Sequence, residues 1–123
     1  MIIGVGVDLT PIGRIERAIA AHDGRFEARV FTDAERAFCR ARARAGQHFA
    51  ARFAAKEALL KALGVPEGLR WHELEVVSGP KGAPSFALTG NAAAAAARAG
   101  VRTLHLSITH ADDSAMAFVV AEG

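Results

Sequence analysis

The segment most restrictive of fold is 47–63, QHFAARFAAKEALLKAL, which is built almost wholly from strong helix formers and closed by Gly64 and Pro66. Projected at about 100° per residue, it gives an apolar arc through Leu59, Leu63, Phe49, Leu60 and Phe53. Arg52 and Lys56 fall inside that arc. A cation among core-facing residues is costly unless an anion meets it, so each must find a protein carboxylate, find a ligand phosphate, or snorkel its charge to the surface.

Around this helix the chain reads as strands and shorter helices. Residues 1–7 are apolar and rich in Val and Ile, and predict a buried strand that ends at Asp8-Leu9-Thr10-Pro11. Pro11 suits a first helical turn, and Ile12, Ile15 and Ile19 continue at helical spacing to about Ala21, where His22-Asp23-Gly24 stops the helix. A short helix near 25–30 follows. Thr32 and Glu35 form a capping-box signature, so another helix should start at Asp33 and run toward Gly46. WHELEVV and PSFALT flank Gly79-Pro80-Lys81-Gly82-Ala83, as two strands around a tight turn. The alanine run 91–99 predicts a helix. In the last segment Leu104, Leu106 and Ile108 alternate with His105, Ser107 and Thr109, and Asp112-Asp113 turns into a final strand, AMAFVV. The order implies an α+β fold, a mostly antiparallel sheet packed with one long central helix, in a single domain spanning 1–123.

A lone Cys39 has no disulfide partner within the chain, and the N-terminus lacks the charged start, apolar run and cleavage site of a secretory signal, so a reducing, cytoplasmic setting is expected. No apolar run reaches the roughly 18 residues that span a bilayer. Net charge is only +2. Between 36 and 61, however, seven cations (Arg36, Arg40, Arg42, Arg44, Arg52, Lys56, Lys61) face the single carboxylate of Glu57. Such a field attracts phosphates, acidic proteins or nucleic acid, or is a solvated helix face. With no Tyr and one Trp, stacking platforms for single-stranded nucleic acid are poor, although a basic binding module using Arg36 to Arg44 is the competing function class.

Glu57 and Lys61, one turn apart, are by themselves no more than a surface ion pair. Asp8 changes their meaning, because carboxylates arriving from a strand and a helix form a hard oxygen site suited to Mg²⁺, with Arg52, Lys56 and Lys61 left to neutralise phosphate charge. Asp8 could equally cap the helix after Pro11. His105 and His110 could bind phosphate, contact a base or fill space. Gly4-Val-Gly6 lacks the third glycine of a dinucleotide loop, and no Cys/His cluster has zinc spacing.

Taken in order, GVGVDLTPIGRI, ARFAAKEALLKALG and LHLSITHADDSAMAFVV resemble the holo-acyl-carrier-protein synthases over nearly the whole chain. The resemblance implies a homotrimeric phosphopantetheinyl transferase with sites at subunit interfaces. Its reaction is attack of a carrier serine on coenzyme A, releasing adenosine 3',5'-bisphosphate, in the service of fatty acid synthesis. It further implies that Asp8 and Glu57 hold Mg²⁺, that Lys61 contacts the reacting phosphate, and that Arg52, Lys56, His105 and Thr109 are candidates for the remaining coenzyme A contacts. Arg14 would meet the acidic carrier protein, and Arg42 and Arg44 would lend charge to a neighbour's site. Serine deprotonation falls either to Glu57 or to a magnesium-bound water, the water being preferred. In the turn GPKGAPSF, Ala83 stands where the family pattern carries a lysine, a charge that Lys81 could replace.

Overall fold

The computed structural model describes residues 1–21 and 23–123, so His22 lies outside it. Strand β1 spans Ile2–Pro11, followed by helices α1 (Ile12–Ala21), α2 (Arg25–Val30), α3 (Asp33–Arg40) and α4 (Ala45–Ala62). A short 3-10 turn, Trp71–Glu73, leads into β2 (Leu74–Ser78) and β3 (Pro84–Leu88), then α5 (Gly90–Arg98), β4 (Thr103–Ala111) and β5 (Ser114–Glu122). All pairing is antiparallel. It is divided between a three-stranded sheet, in the order β1-β5-β4, and a separate β2-β3 hairpin, where one mostly antiparallel sheet had been expected.

Helix α4 is central because β1, β5, β4, α1, α3 and β2 all pack on it. Its side chains are consequently buried nearly all round, from Phe49 to Ala62. The face toward the sheet is made of small residues, Ala54, Ala55, Ala58 and Ala62, opposite Ala117, Val119 and Ala121. Contact there is backbone to backbone: a Cβ added at Gly4 would lie 2.0 Å from the Ala62 carbonyl oxygen, and one at Gly6 would lie 1.9 Å from that of Ala58. This is the physical use of Gly4-Val-Gly6, a close helix–strand approach. Phe31, Phe49, Ile15 and Cys39 fill a second core on the α1–α3 side.

Two boundaries differ from expectation. Pro11 ends β1, paired with Ser114, instead of opening α1. An edge strand tolerates proline because no ladder partner needs its missing N–H, and Ile12 N donates to Asp113 O at 2.7 Å, starting α1 against the β4–β5 turn. Helix α3 carries the expected capping box between Thr32 and Glu35 but stops at Arg40. There the Arg42 guanidinium donates to Phe38 O at 2.6 Å, satisfying a terminal carbonyl.

The strand expected to be buried is buried on one side only. Val5, Val7 and Leu9 of β1 and Met116 and Phe118 of β5 stand exposed on the outer sheet face, with Leu9 at 60% and Phe118 at 45% of full accessibility. No helix among the described residues is long and apolar enough to cross a membrane.

Candidate active site

Asp8 lies within β1, three residues before its end, in register with Ala117 on the face turned to α4. It caps no helix. Its Oδ2 accepts from Thr10 Oγ1 at 2.6 Å and its Oδ1 faces Lys61 Nζ at 3.3 Å, while the same ammonium donates to Val7 O at 2.9 Å. Thr10 is buried, so the carboxylate is held from below by a fixed hydroxyl. Glu57 reaches the same place from α4. Burial pushes its carboxyl above the ordinary range and the charge of Asp8 pushes it further, while Lys61 and Arg14 act in the opposite sense. Two carboxylates and two cations, from β1, α1 and α4, therefore share one electrostatic neighbourhood.

Lys56 does not belong to that neighbourhood. Its side chain is 0% exposed and its Nζ lies 2.7 Å from Glu35 Oε1, with Glu35 equally buried. The ammonium also donates to Trp71 O at 2.9 Å. Glu35 in turn accepts from Thr32 N at 2.9 Å and from Val76 N at 2.7 Å, so one carboxylate fastens α3, β2 and α4 together. Of the three partners open to Lys56, the fold supplies a protein carboxylate, and no surface is left for a coenzyme A phosphate. The capping box hinted at Glu35, but its second use, as the counter-ion of Lys56, has no signal in local spacing.

Arg52 is also buried, but it is not satisfied. Its Nη2 donates to Ser78 Oγ at 3.1 Å, its guanidinium lies 3.7 Å from the centre of the Phe38 ring, and its Nε has no partner among the described residues. Arg42 stacks on the same ring at 3.3 Å. Burial first, then Arg42, Arg52 and His110, disfavour the charged form of His48, and His110 lies 2.9 Å from the Gln47 amide. A second positive cluster thus forms around Arg42, His48, Arg52 and His110. Ser78 ties it to the turn bearing Lys81, whose φ is +63°. Thr109 precedes His110 and lines a small cleft with Leu9 and Met116.

His105 lies elsewhere. It is five residues up β4 from His110, about 16 Å along an extended strand, and its Nε2 pairs with Glu122 at 2.9 Å. Five residues apart, the two histidines of β4 fall on opposite faces of the strand. The basic run is likewise divided by its partners: Arg36 pairs with buried Glu27 at 2.8 Å, and Arg40 joins the same carboxylate. Burial raises the Glu27 carboxyl, but Arg40 and Arg36 outweigh it and hold it below the usual value.

The metal expected at Asp8 and Glu57 has a donor set of matching chemistry. Both side chains offer hard oxygens, their charges raise one another's demand for a cation, and a magnesium ion completes its shell with water or substrate oxygen. Among the described residues no cluster of three or more His, Cys, Asp or Glu forms a fuller cage.

A family model for the 4'-phosphopantetheinyl transferase superfamily matches residues 4–119. The chain belongs to that superfamily. It is 51% identical to a holo-[acyl-carrier-protein] synthase of Desulforudis audaxviator over 124 residues, which is 100% of this chain and 95% of the relative. It is 53% identical over 126 residues to one from Anaeromyxobacter dehalogenans, covering 100% and 98%. The crystal structure of holo-[acyl-carrier-protein] synthase from Neisseria meningitidis superposes with a TM-score of 0.88 at 30% identity, over the full length of both chains. That of the Helicobacter pylori enzyme in complex with coenzyme A gives 0.83 at 29% identity, over 96% of this chain and 99% of that one.

Proposed function

We propose that this phosphopantetheinyl transferase moves the 4'-phosphopantetheine arm of coenzyme A to a serine of an apo-acyl carrier protein, as one catalytic domain in a reducing, cytoplasmic setting. The observation that carries the reading is the meeting of Asp8 and Glu57, from different elements, between Lys61 and Arg14.

In this reading Asp8 and Glu57 hold Mg²⁺, which when bound would supply positive charge to the coenzyme A pyrophosphate. Lys61, fixed by Val7 O and Asp8, neutralises charge on the reacting phosphate. As the serine hydroxyl attacks phosphorus and adenosine 3',5'-bisphosphate leaves, Glu57 stands at the site to take up the serine proton, directly or through water. Arg52 and the turn bearing Lys81 meet the nucleotide phosphates. His110, beside Thr109, takes the place first given to His105, because it shares the Arg52 cluster. Lys56 acts as an anchor of α4 in place of a phosphate ligand.

The carboxylates and the Arg52 cluster leave α4 toward different neighbours, β1 on one side and α3 with β2 on the other. A coenzyme A spanning both is accommodated when one copy supplies the carboxylates and the next supplies the cations. The exposed apolar strip of Val5, Val7, Leu9, Met116 and Phe118 supports self-association of this kind, as a homotrimer with shared sites.

The test is direct. Apo carrier protein mixed with coenzyme A, magnesium and this enzyme should gain the phosphopantetheine mass, read by intact-mass spectrometry, and Glu57→Ala should abolish the gain while leaving the circular dichroism spectrum unchanged. Absence of the adduct across several carriers, or full activity of the variant, refutes the assignment.

A further inference from the structure

Along β1 the side chains of Asp8 and Thr10 fall on the same face with their roots about 7 Å apart, while exposed Leu9 between them stands on the other. Neighbours at that spacing do not touch unless one leans along the strand. The Asp8 carboxylate does lean, until its Oδ2 accepts from Thr10 Oγ1 at 2.6 Å. Thr10 is 1% exposed and pairs with the fully buried Ala115, so its hydroxyl has no access to bulk water and is satisfied by Asp8 instead.

The second restraint on Asp8 is of a different kind. Lys61 meets Oδ1 at 3.3 Å, but its side chain is 48% exposed and its ammonium is carried on a flexible stem. Such a partner can leave. In the transferase reading Lys61 has the reacting phosphate to serve as well, whereas Thr10 is enclosed and β-branched, with a restricted χ1. One bond to Asp8 therefore stays fixed whatever Lys61 does, and it is the bond to Oδ2.

We infer that Thr10 is a positioning residue for the cation site: its hydroxyl holds the Asp8 carboxylate by Oδ2, presents Oδ1 to the divalent ion assigned to Asp8 and Glu57, and keeps that orientation when Lys61 turns to phosphate. The inference rests on the transferase reading above. It concerns a residue that meets neither phosphate nor metal and acts only through Asp8. Removing the hydrogen-bond partner of a ligating side chain weakens metal affinity by about 10–100-fold, which sets the size of the effect to look for.

Mn²⁺ is titrated into wild type, Thr10→Val, Thr10→Ala and Thr10→Ser, with and without coenzyme A, and the free ion is followed by electron paramagnetic resonance. Valine matches the shape of threonine and suits a strand, alanine repeats the deletion with no added methyl, and circular dichroism checks each fold. The valine and alanine variants should bind Mn²⁺ at least about tenfold more weakly, and the serine variant, which keeps the hydroxyl, should recover wild-type binding. In turnover, the Mg²⁺ concentration giving half the maximal rate should rise in the same order, while KM for the apo carrier holds.

Unchanged Mn²⁺ binding in the valine and alanine variants overturns the inference. A serine variant as weak as valine overturns it too, because the lost methyl and not the hydroxyl would then be responsible. A wild type that takes up Mn²⁺ but transfers nothing removes the transferase assignment alone, and the ranking of the variants still decides for or against Thr10. A wild type without Mn²⁺ affinity under either condition overturns the cation site and the role of Thr10 together.

Discussion

Glu57 sits where ionisation is opposed, by burial first and by Asp8 next. A carboxyl whose folded pKa is raised binds its proton more tightly than in the unfolded chain. Its contribution therefore favours the fold at low pH and turns against it as pH climbs through the folded value. In the proposed reading function runs the other way, since holding a cation would need the ionised form. Asp8→Asn should lower the Glu57 titration midpoint, measured by carboxyl-carbon NMR on metal-free protein; an unmoved midpoint would mean the two groups do not interact. Cys39 makes a contrasting case. Burial pushes its thiol up to about 11, so an alkylating reagent at pH 8 should leave it intact until denaturant is added, as read by mass spectrometry. At this scale the sequence made Asp8, Glu57 and Lys61 legible because they bear unusual charge in apolar company. Lys56 was read toward a ligand because a helical projection shows which side chains face inward and nothing of what waits there, and Glu35 arrives from another helix.

Helix α4 was legible almost to its ends, because composition and terminators agree over eighteen residues. The ends of β1 and α3 were not, since a strand partner at Ser114 and a side-chain cap from Arg42 decide them. The bond between elements has its own test. Lys56→Met should cost about 3–5 kcal/mol, because it strands the Glu35 charge in the core, and Lys56→Met with Glu35→Leu should recover much of that in chemical denaturation. Gly6→Ala, which would drive a methyl into the Ala58 carbonyl, should destabilise toward the upper end of about 1–3 kcal/mol. A variant as stable as wild type would show that α4 can move off the sheet.

For the whole molecule, the outer sheet face is the open account. Alternation in β4 and β5 was visible in sequence, but a strand buried on both faces and one exposed on its outer face have the same apolar letters, so β1 was assigned to the interior. Phe118→Glu with Val7→Glu should yield monomers in multi-angle light scattering and lose activity through separation of the carboxylates from the Arg52 cluster, while the monomer keeps its helical signal. An unchanged mass would remove the sheet face from the assembly. The glycine seam under that sheet has a practical corollary. Because Gly4 and Gly6 bring β1 against the main chain of α4, the gap between Asp8 and Glu57 has no slack, and it is kept only while the residues of that seam stay small. Directed evolution could restock the second core around Phe31 and Phe49 for heat tolerance and inherit the same span, provided the two glycines and the alanines of the seam are kept out of the library.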